Sequence, residues 1–180
     1  MPVLGNNTIG SNNSISSRWY AGMFTATEDG EITDFAAYMA STGIGTNFRF
    51  VIYSDNSGYP SSTVLAQSAI ISGFDTTLKW WTGAINYIFA ASEVLHFYIM
   101  SDDQIDYYYS NGTGILQFIE TTEDFNVWGI GTPPTPPTSV VPAYDFIPSF
   151  YVNYDKILEG SKFYYRRFHK PALFKPGNAR

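Results

Sequence analysis

The chain has 180 residues, no cysteine, 18% aromatic and 14% charged residues, and a formal net charge of −6. That length suits one domain with a core large enough to stand without staples, and the lack of cysteine excludes disulfides, thiolate metal sites and a cysteine nucleophile. Soluble domains usually carry about 25% charged residues, so Tyr, Ser, Thr, Asn or neighbouring chains must cover much of this surface.

The N-terminal stretch MPVLGNNTIGSNN has neither a basic n-region nor an apolar h-region, so no secretory signal is visible, and the expectation is a chain made in a cytoplasm unless a signal was trimmed. No apolar run approaches transmembrane length. Residues 1–18 are small and polar, a loop or an edge segment. Residues 19–27, WYAGMFTAT, alternate enough for a strand, and Glu28-Asp29-Gly30-Glu31 is a turn of the Asp-Gly type. Ile32 to Ala40 has some helical spacing, but the hairpin punctuation on both sides selects a strand.

Phe48-Arg49-Phe50-Val51-Ile52-Tyr53 is aromatic and β-branched, the composition of a strand. Alternation assigns Phe48, Phe50 and Ile52 to the core and Arg49, Val51 and Tyr53 to a wetter face. Ser54 to Pro60 is a polar corner in which Gly58 can take positive φ. Val64-Leu65-Ala66 begins the returning strand, and Ala69-Ile70-Ile71 continues to a stop near Ser72-Gly73. Thr77 to Tyr87 holds Trp80-Trp81 and a turn at Gly83. Glu93 to Met100 is a strong strand, Asp102 to Asp106 an acidic corner, and Tyr107-Tyr108-Tyr109 a short strand before an Asn111-Gly112 turn. Ile115 to Glu120 and Phe125 to Trp128 are further strands. Eight or nine short strands with regular turn spacing describe an all-β sandwich.

Thr132-Pro133-Pro134-Thr135-Pro136-Pro137-Thr138 cannot sit inside a sheet and reads as a stiff, polyproline-like linker. The charge divides near the end of the chain. Residues 1–155 carry three basic and fifteen acidic residues; residues 156–180 carry seven basic and one acidic. The organisation expected is therefore a sandwich over 1–131, a Pro-rich linker over 132–139 and an extended, basic, aromatic arm over 140–180.

A family likeness rests on particular residues. They are the block Gly5 to Ile15, Phe24-Thr25-Ala26, Gly30-Glu31-Ile32-Thr33-Asp34-Phe35 with Ala37-Tyr38, and Arg49 to Pro60. Leu65-Ala66-Gln67-Ser68, Trp80-Trp81 and Phe97 to Asp102 complete the set. Over residues 5–128 this pattern resembles the jelly-roll module of tail, fibre and other structural proteins of bacteriophages and of extracellular proteins of bacteria and archaea. It also resembles carbohydrate-binding modules in architecture. The resemblance implies a jelly-roll β-sandwich, and its motifs speak to fold more than to function.

The chemistry-bearing residues each have a plain structural reading beside a functional one. Trp80, Trp81, Tyr107 and Tyr109 could form a sugar-stacking platform; alternation instead sends half of each run into the core. Asp102, Asp103 and Asp106 could supply oxygen ligands to a structural Ca²⁺, although their spacing is not that of an EF-hand and an acidic, solvated corner explains them as well. His96 lies in an apolar strand and reads as a packed residue. No Gly-x-Ser-x-Gly, His-Glu-x-x-His or phosphate-cradling loop occurs, and no cofactor is expected. The basic arm, with Phe163, Tyr164, Tyr165, Arg166, Arg167, Phe168 and Lys170, is a partner-docking segment. An acidic body repels phosphate, so the arm's partner is an acidic protein surface and neither nucleic acid nor membrane.

Taken with the resemblance, these features lead to the expectation of a non-enzymatic structural component of a virus particle. It would be a capsid-decoration or tail protein of a phage or prokaryotic virus, assembling with other virion subunits as a homo-oligomer through its arm. The alternative is a carbohydrate-binding module or adhesin at a cell surface, bound to a host-surface glycan.

Overall fold

The computed structural model describes residues 2–43, 46–111 and 146–158. Among the described residues there are ten strands: β1 (Val3–Gly5), β2 (Asn12–Thr25), β3 (Gly30–Ser41), β4 (Thr46–Asn56), β5 (Tyr59–Gln67), β6 (Ile71–Phe74), β7 (Lys79–Phe89), β8 (Val94–Asn111), β9 (Phe146–Pro148) and β10 (Phe150–Lys156). All pairings are antiparallel.

The strands form two packed layers. The first sheet runs β2–β8–β4–β5, with β6 beside the start of β4. The second runs β1–β10–β3–β7. Strand β8 joins them. Its first half pairs with β4 and its second half reaches the end of β3, where Met39 faces Tyr107. The chain crosses between layers from β1 to β2, β2 to β3, β3 to β4, β6 to β7 and β7 to β8. That is the winding of a jelly roll.

Side chains of opposite layers meet in an aromatic core. Phe35 of the second sheet stacks on Phe50 of the first, centroids 4.3 Å apart and planes at 13°. Phe97 meets Phe35 edge-on at 5.5 Å. Phe48, Phe74 and Trp81 fill one end, and Phe89 with Tyr154 fills another part. Each fully buried ring of this kind stabilises the fold by about 1.5–3 kcal/mol over its exposed state.

Local chemistry fixes the turns. Between β4 and β5, Ser57 and Gly58 have φ of 58° and 90°, the pair of positive values that a two-residue hairpin requires. Asp55 Oδ1 accepts the Gly58 N–H at 2.9 Å, but the corner is tighter than its composition predicts: β4 runs to Asn56 and β5 begins at Tyr59 rather than at Val64.

Several expectations need correction, among them the strand stop at Ser72-Gly73, which lies inside β6. Gly83 is not a turn: β7 runs straight through it. A Cβ there would lie 2.8 Å from the Phe50 ring and from Ile71 Cδ1, so glycine is present to let the other layer approach. The acidic corner is also strand, because β8 continues from Val94 to Asn111. Arg49, Val51 and Tyr53 do not form a wet face. They are 4%, 0% and 1% exposed. Val51 and Tyr53 pack with Tyr98 and Met100 in a second apolar cluster, flanked by Met23 and Val64, while Arg49 donates to Gln67 Oε1 at 2.7 Å.

The arm needs correction as well. Residues 146–158 belong to the sandwich. Strand β10 lies between β1 and β3, with Tyr151 opposite both Gly5 and Ala36, and Phe150 and Val152 are core residues. Their inward alternation is what holds this segment in the sheet. The Pro-rich linker, the strands expected at Ile115–Glu120 and Phe125–Trp128, and residues 159–180 lie outside the described residues.

Candidate binding face

The two tryptophans of β7 point opposite ways. Trp81 faces inward, 5.6 Å from Phe48 and 5.2 Å from Phe74, with Lys79 Nζ 4.0 Å from its ring centroid. Trp80 faces outward. It meets Tyr38 of β3 at 5.5 Å and Tyr151 of β10 at 5.1 Å. Tyr38 in turn meets Tyr108 of β8 edge-on at 5.5 Å. Four partly exposed rings from four strands thus share the outer face of the second sheet.

Ring orientation is set by strand alternation. In β8, Tyr107 is 4% exposed and in the core, and Tyr109 packs against the core, so Tyr108 between them points out. In β10, Phe150 and Val152 point in and Tyr151 points out. In β3, Phe35 and Ala37 are core residues, which puts Ala36 and Tyr38 on the outer side. Ala36 sits opposite Tyr151 on one edge and Thr82 on the other, a small residue amid the rings.

A polar row adjoins the rings one register step away. Asp34 faces Asn153 and Ala84. Its Oδ1 accepts from Asn153 Nδ2 at 2.7 Å and its Oδ2 from Thr33 Oγ1 at 3.1 Å. A further step on, Glu31 faces Asp155 and Ile88. The face therefore grades from aromatic at the start of β10 to acidic at its end. There Glu28 bridges Tyr154 and Lys156, at 2.7 Å and 2.8 Å. The Lys156 and Tyr154 bonds hold the Glu28 carboxyl below its usual range. Burial, then Glu28, pushes the Tyr154 phenol up to about 12.

Of the sequence-selected platform, only Trp80 is on this face; Trp81, Tyr107 and Tyr109 are turned into the sandwich. Tyr38 and Tyr151 were missed, and Tyr108 was weighed only as part of the Tyr107–Tyr109 run. Alternation within Tyr107–Tyr109 could have singled out Tyr108, but nothing local marks Tyr38 or Tyr151. Of the calcium candidates, Asp102 and Asp106 are each engaged by a different asparagine. Asp102 accepts from the Asn47 N–H and from Asn47 Nδ2, both at 2.7 Å. Asp106 accepts from Asn13 Nδ2 at 3.0 Å, and the Asp103 side chain is outside the described ones. Among the described residues no three His, Cys, Asp or Glu side chains gather as a metal site. The docking residues Phe163, Tyr164, Tyr165, Arg166, Arg167, Phe168 and Lys170 also lie outside the described residues.

His96 is fully buried and its Nε2 is 2.8 Å from Asp55 Oδ1. Burial lowers its pKa, against the opposing pull of Asp55. It ties β8 to the corner that joins β4 and β5, a structural role.

Compared with protein families, with curated proteins and with solved structures, the chain gives no match.

Proposed function

We propose that this chain is a non-catalytic structural subunit, of the kind that decorates or builds part of a virus particle, and that it joins its neighbours through the outer face of the second sheet. The observation that carries the reading is the cluster of Trp80, Tyr38, Tyr108 and Tyr151 on a rigid sheet face. Tyr and Trp are the residues that dominate the centres of protein interfaces, with polar groups at the rim. The row of Asp34, Asn153, Glu31 and Asp155 beside the rings supplies such a rim. The low charged content fits a protein whose surface is partly covered by other chains. The only histidine in the described residues is committed to Asp55, which fits action by contact. Light scattering on the full chain over a range of concentrations tests the reading: a defined oligomer is expected, and Trp80→Ala is expected to dissolve it. A strictly monomeric full chain would end it.

One observation favours a second reading, a module that binds a host-surface or cell-surface glycan. The ring separations of 5.1–5.5 Å are of the order of one pyranose unit, and the hydrogen-bonded Asp34–Asn153 pair stands ready beside them. The acidic surroundings would select a neutral sugar chain. A glycan array probed with the full chain and with Trp80→Ala separates the two readings, since only the second predicts a Trp80-dependent signal.

A further inference from the structure

We infer that the segment received by the four-ring face is residues 159–180 of an adjacent copy, so that subunits join tail to face. This rests on the assembly reading above and specifies its two surfaces.

The direction of β10 is the first argument. The strand enters the sheet at Phe150 and Tyr151, beside Tyr38 and Trp80, and leaves it at Lys156, opposite Gly30. Lys156 is five residues beyond Tyr151, about 17 Å along the strand. The chain thus departs at the end of the sandwich remote from its own rings and pointing away from them. To cover its own face it must reverse within a few residues; to reach a neighbour it only has to continue. Twenty-two residues follow Leu158, and they can span about 70 Å when extended, several times the distance that separates the two ends of the face.

Charge and ring chemistry match in the second argument. The tail holds Lys162, Arg166, Arg167, Lys170, Lys175 and Arg180 against one acid, Glu159. The receiving face carries Glu31, Asp34 and Asp155 along its strands. Guanidinium groups sit well over Trp and Tyr rings and fork onto carboxylates, and this face offers both one register step apart. The chain already uses cation-on-ring packing, at Lys79 and Trp81. Phe163, Tyr164, Tyr165 and Phe168 supply apolar contact to the ring cluster, which ion pairs alone at a wet surface do not. A segment of this length also suits a standard interface, which takes about 20–30 residues a side.

Such a contact is heterologous. Each copy has one tail to give and one face to offer, so the contacts propagate until a ring closes or a filament grows.

The test uses full-length protein in sedimentation velocity over a wide concentration range. One variant spoils the face, Trp80→Ala, with Tyr151→Ser as a second version. Another spoils the tail, Arg166→Glu with Arg167→Glu. Each alone is expected to weaken self-association by about thirtyfold or more, the loss typical of a hot-spot residue. An equimolar mixture of face and tail variants is expected to recover association, because the intact tail of one finds the intact face of the other, and to stop at pairs. Two results overturn the inference while leaving assembly standing. Either both variants associate as the unaltered chain does, or both lose association and mixing restores nothing, as when each tail folds back on its own rings. An unaltered chain that stays monomeric throughout overturns the assembly reading itself.

Discussion

Replacing Phe150 by Ala separates a sandwich that includes β10 from one that ends before the prolines. Phe150 is 1% exposed. Its ring stacks on Phe35 with centroids 5.2 Å apart and lies 5.9 Å from Phe97, so it touches both layers. Truncation removes the transfer energy of the ring and leaves a cavity between rigid sheets, a loss of about 3–5 kcal/mol for Phe→Ala. A domain of this size has about 5–15 kcal/mol in total. The variant should therefore lose about a fifth or more of its stability and melt about 6–20 °C lower. Urea unfolding followed by tyrosine and tryptophan fluorescence measures this directly, with the slope against urea unchanged if the same surface is exposed. A change below about 0.5 kcal/mol, the range of ordinary surface substitutions, would refute the placement of β10 in the core and restore the arm as a separate segment.

Gly83→Val should destabilise by about 1–3 kcal/mol through overpacking, since a Cβ there already lies 2.8 Å from Phe50 and Ile71; thermal melting checks it. Trp81→Ala should cost about 3 kcal/mol or more in urea as a core truncation, whereas Trp80→Ala should cost about 1 kcal/mol, the worth of its ring contacts, while removing association. For His96, burial lowers the folded pKa below the usual 6.5. The unfolded chain then binds the proton first, and stability falls as pH drops through the interval below 6.5. Urea midpoints across that interval should show the slope in the unaltered protein and lose it in His96→Gln. The loss from the depressed Glu28 carboxyl comes only below 4.5, so it does not contribute to the slope between 6.5 and 4.5.

Much of the fold is written in local pattern. Phe48 to Ile52 alternates as a strand must, and Asp55 with Gly58 has the chemistry of the hairpin that follows. Other features depend on partners distant in the chain. Alternation says which side of β4 carries Arg49, Val51 and Tyr53, but not that this side is buried too, together with its cross-strand neighbours Tyr98 and Met100 of β8. Gly83 reads as punctuation until Phe50 is known to lie against it. The prolines at 133–137 suggest a boundary, yet a chain can leave a sheet and return, and Phe150, Val152 and Tyr154 show the inward alternation of a returning strand. The ring face was the least legible. Trp80 was visible in the run Trp80-Trp81, but Tyr38, Tyr108 and Tyr151 come from strands far apart in sequence, and only their registers bring them together.

Hydroxyl-radical footprinting of the full chain, below and above the concentration at which it associates, tests the central claim most directly. In the dilute protein Tyr38, Trp80, Tyr108 and Tyr151 should be modified faster than the buried Tyr53, Tyr98 and Tyr107, and on association the modification of those four rings should fall together. Association that leaves the four rings as reactive as before, with protection on some other surface, would contradict the account.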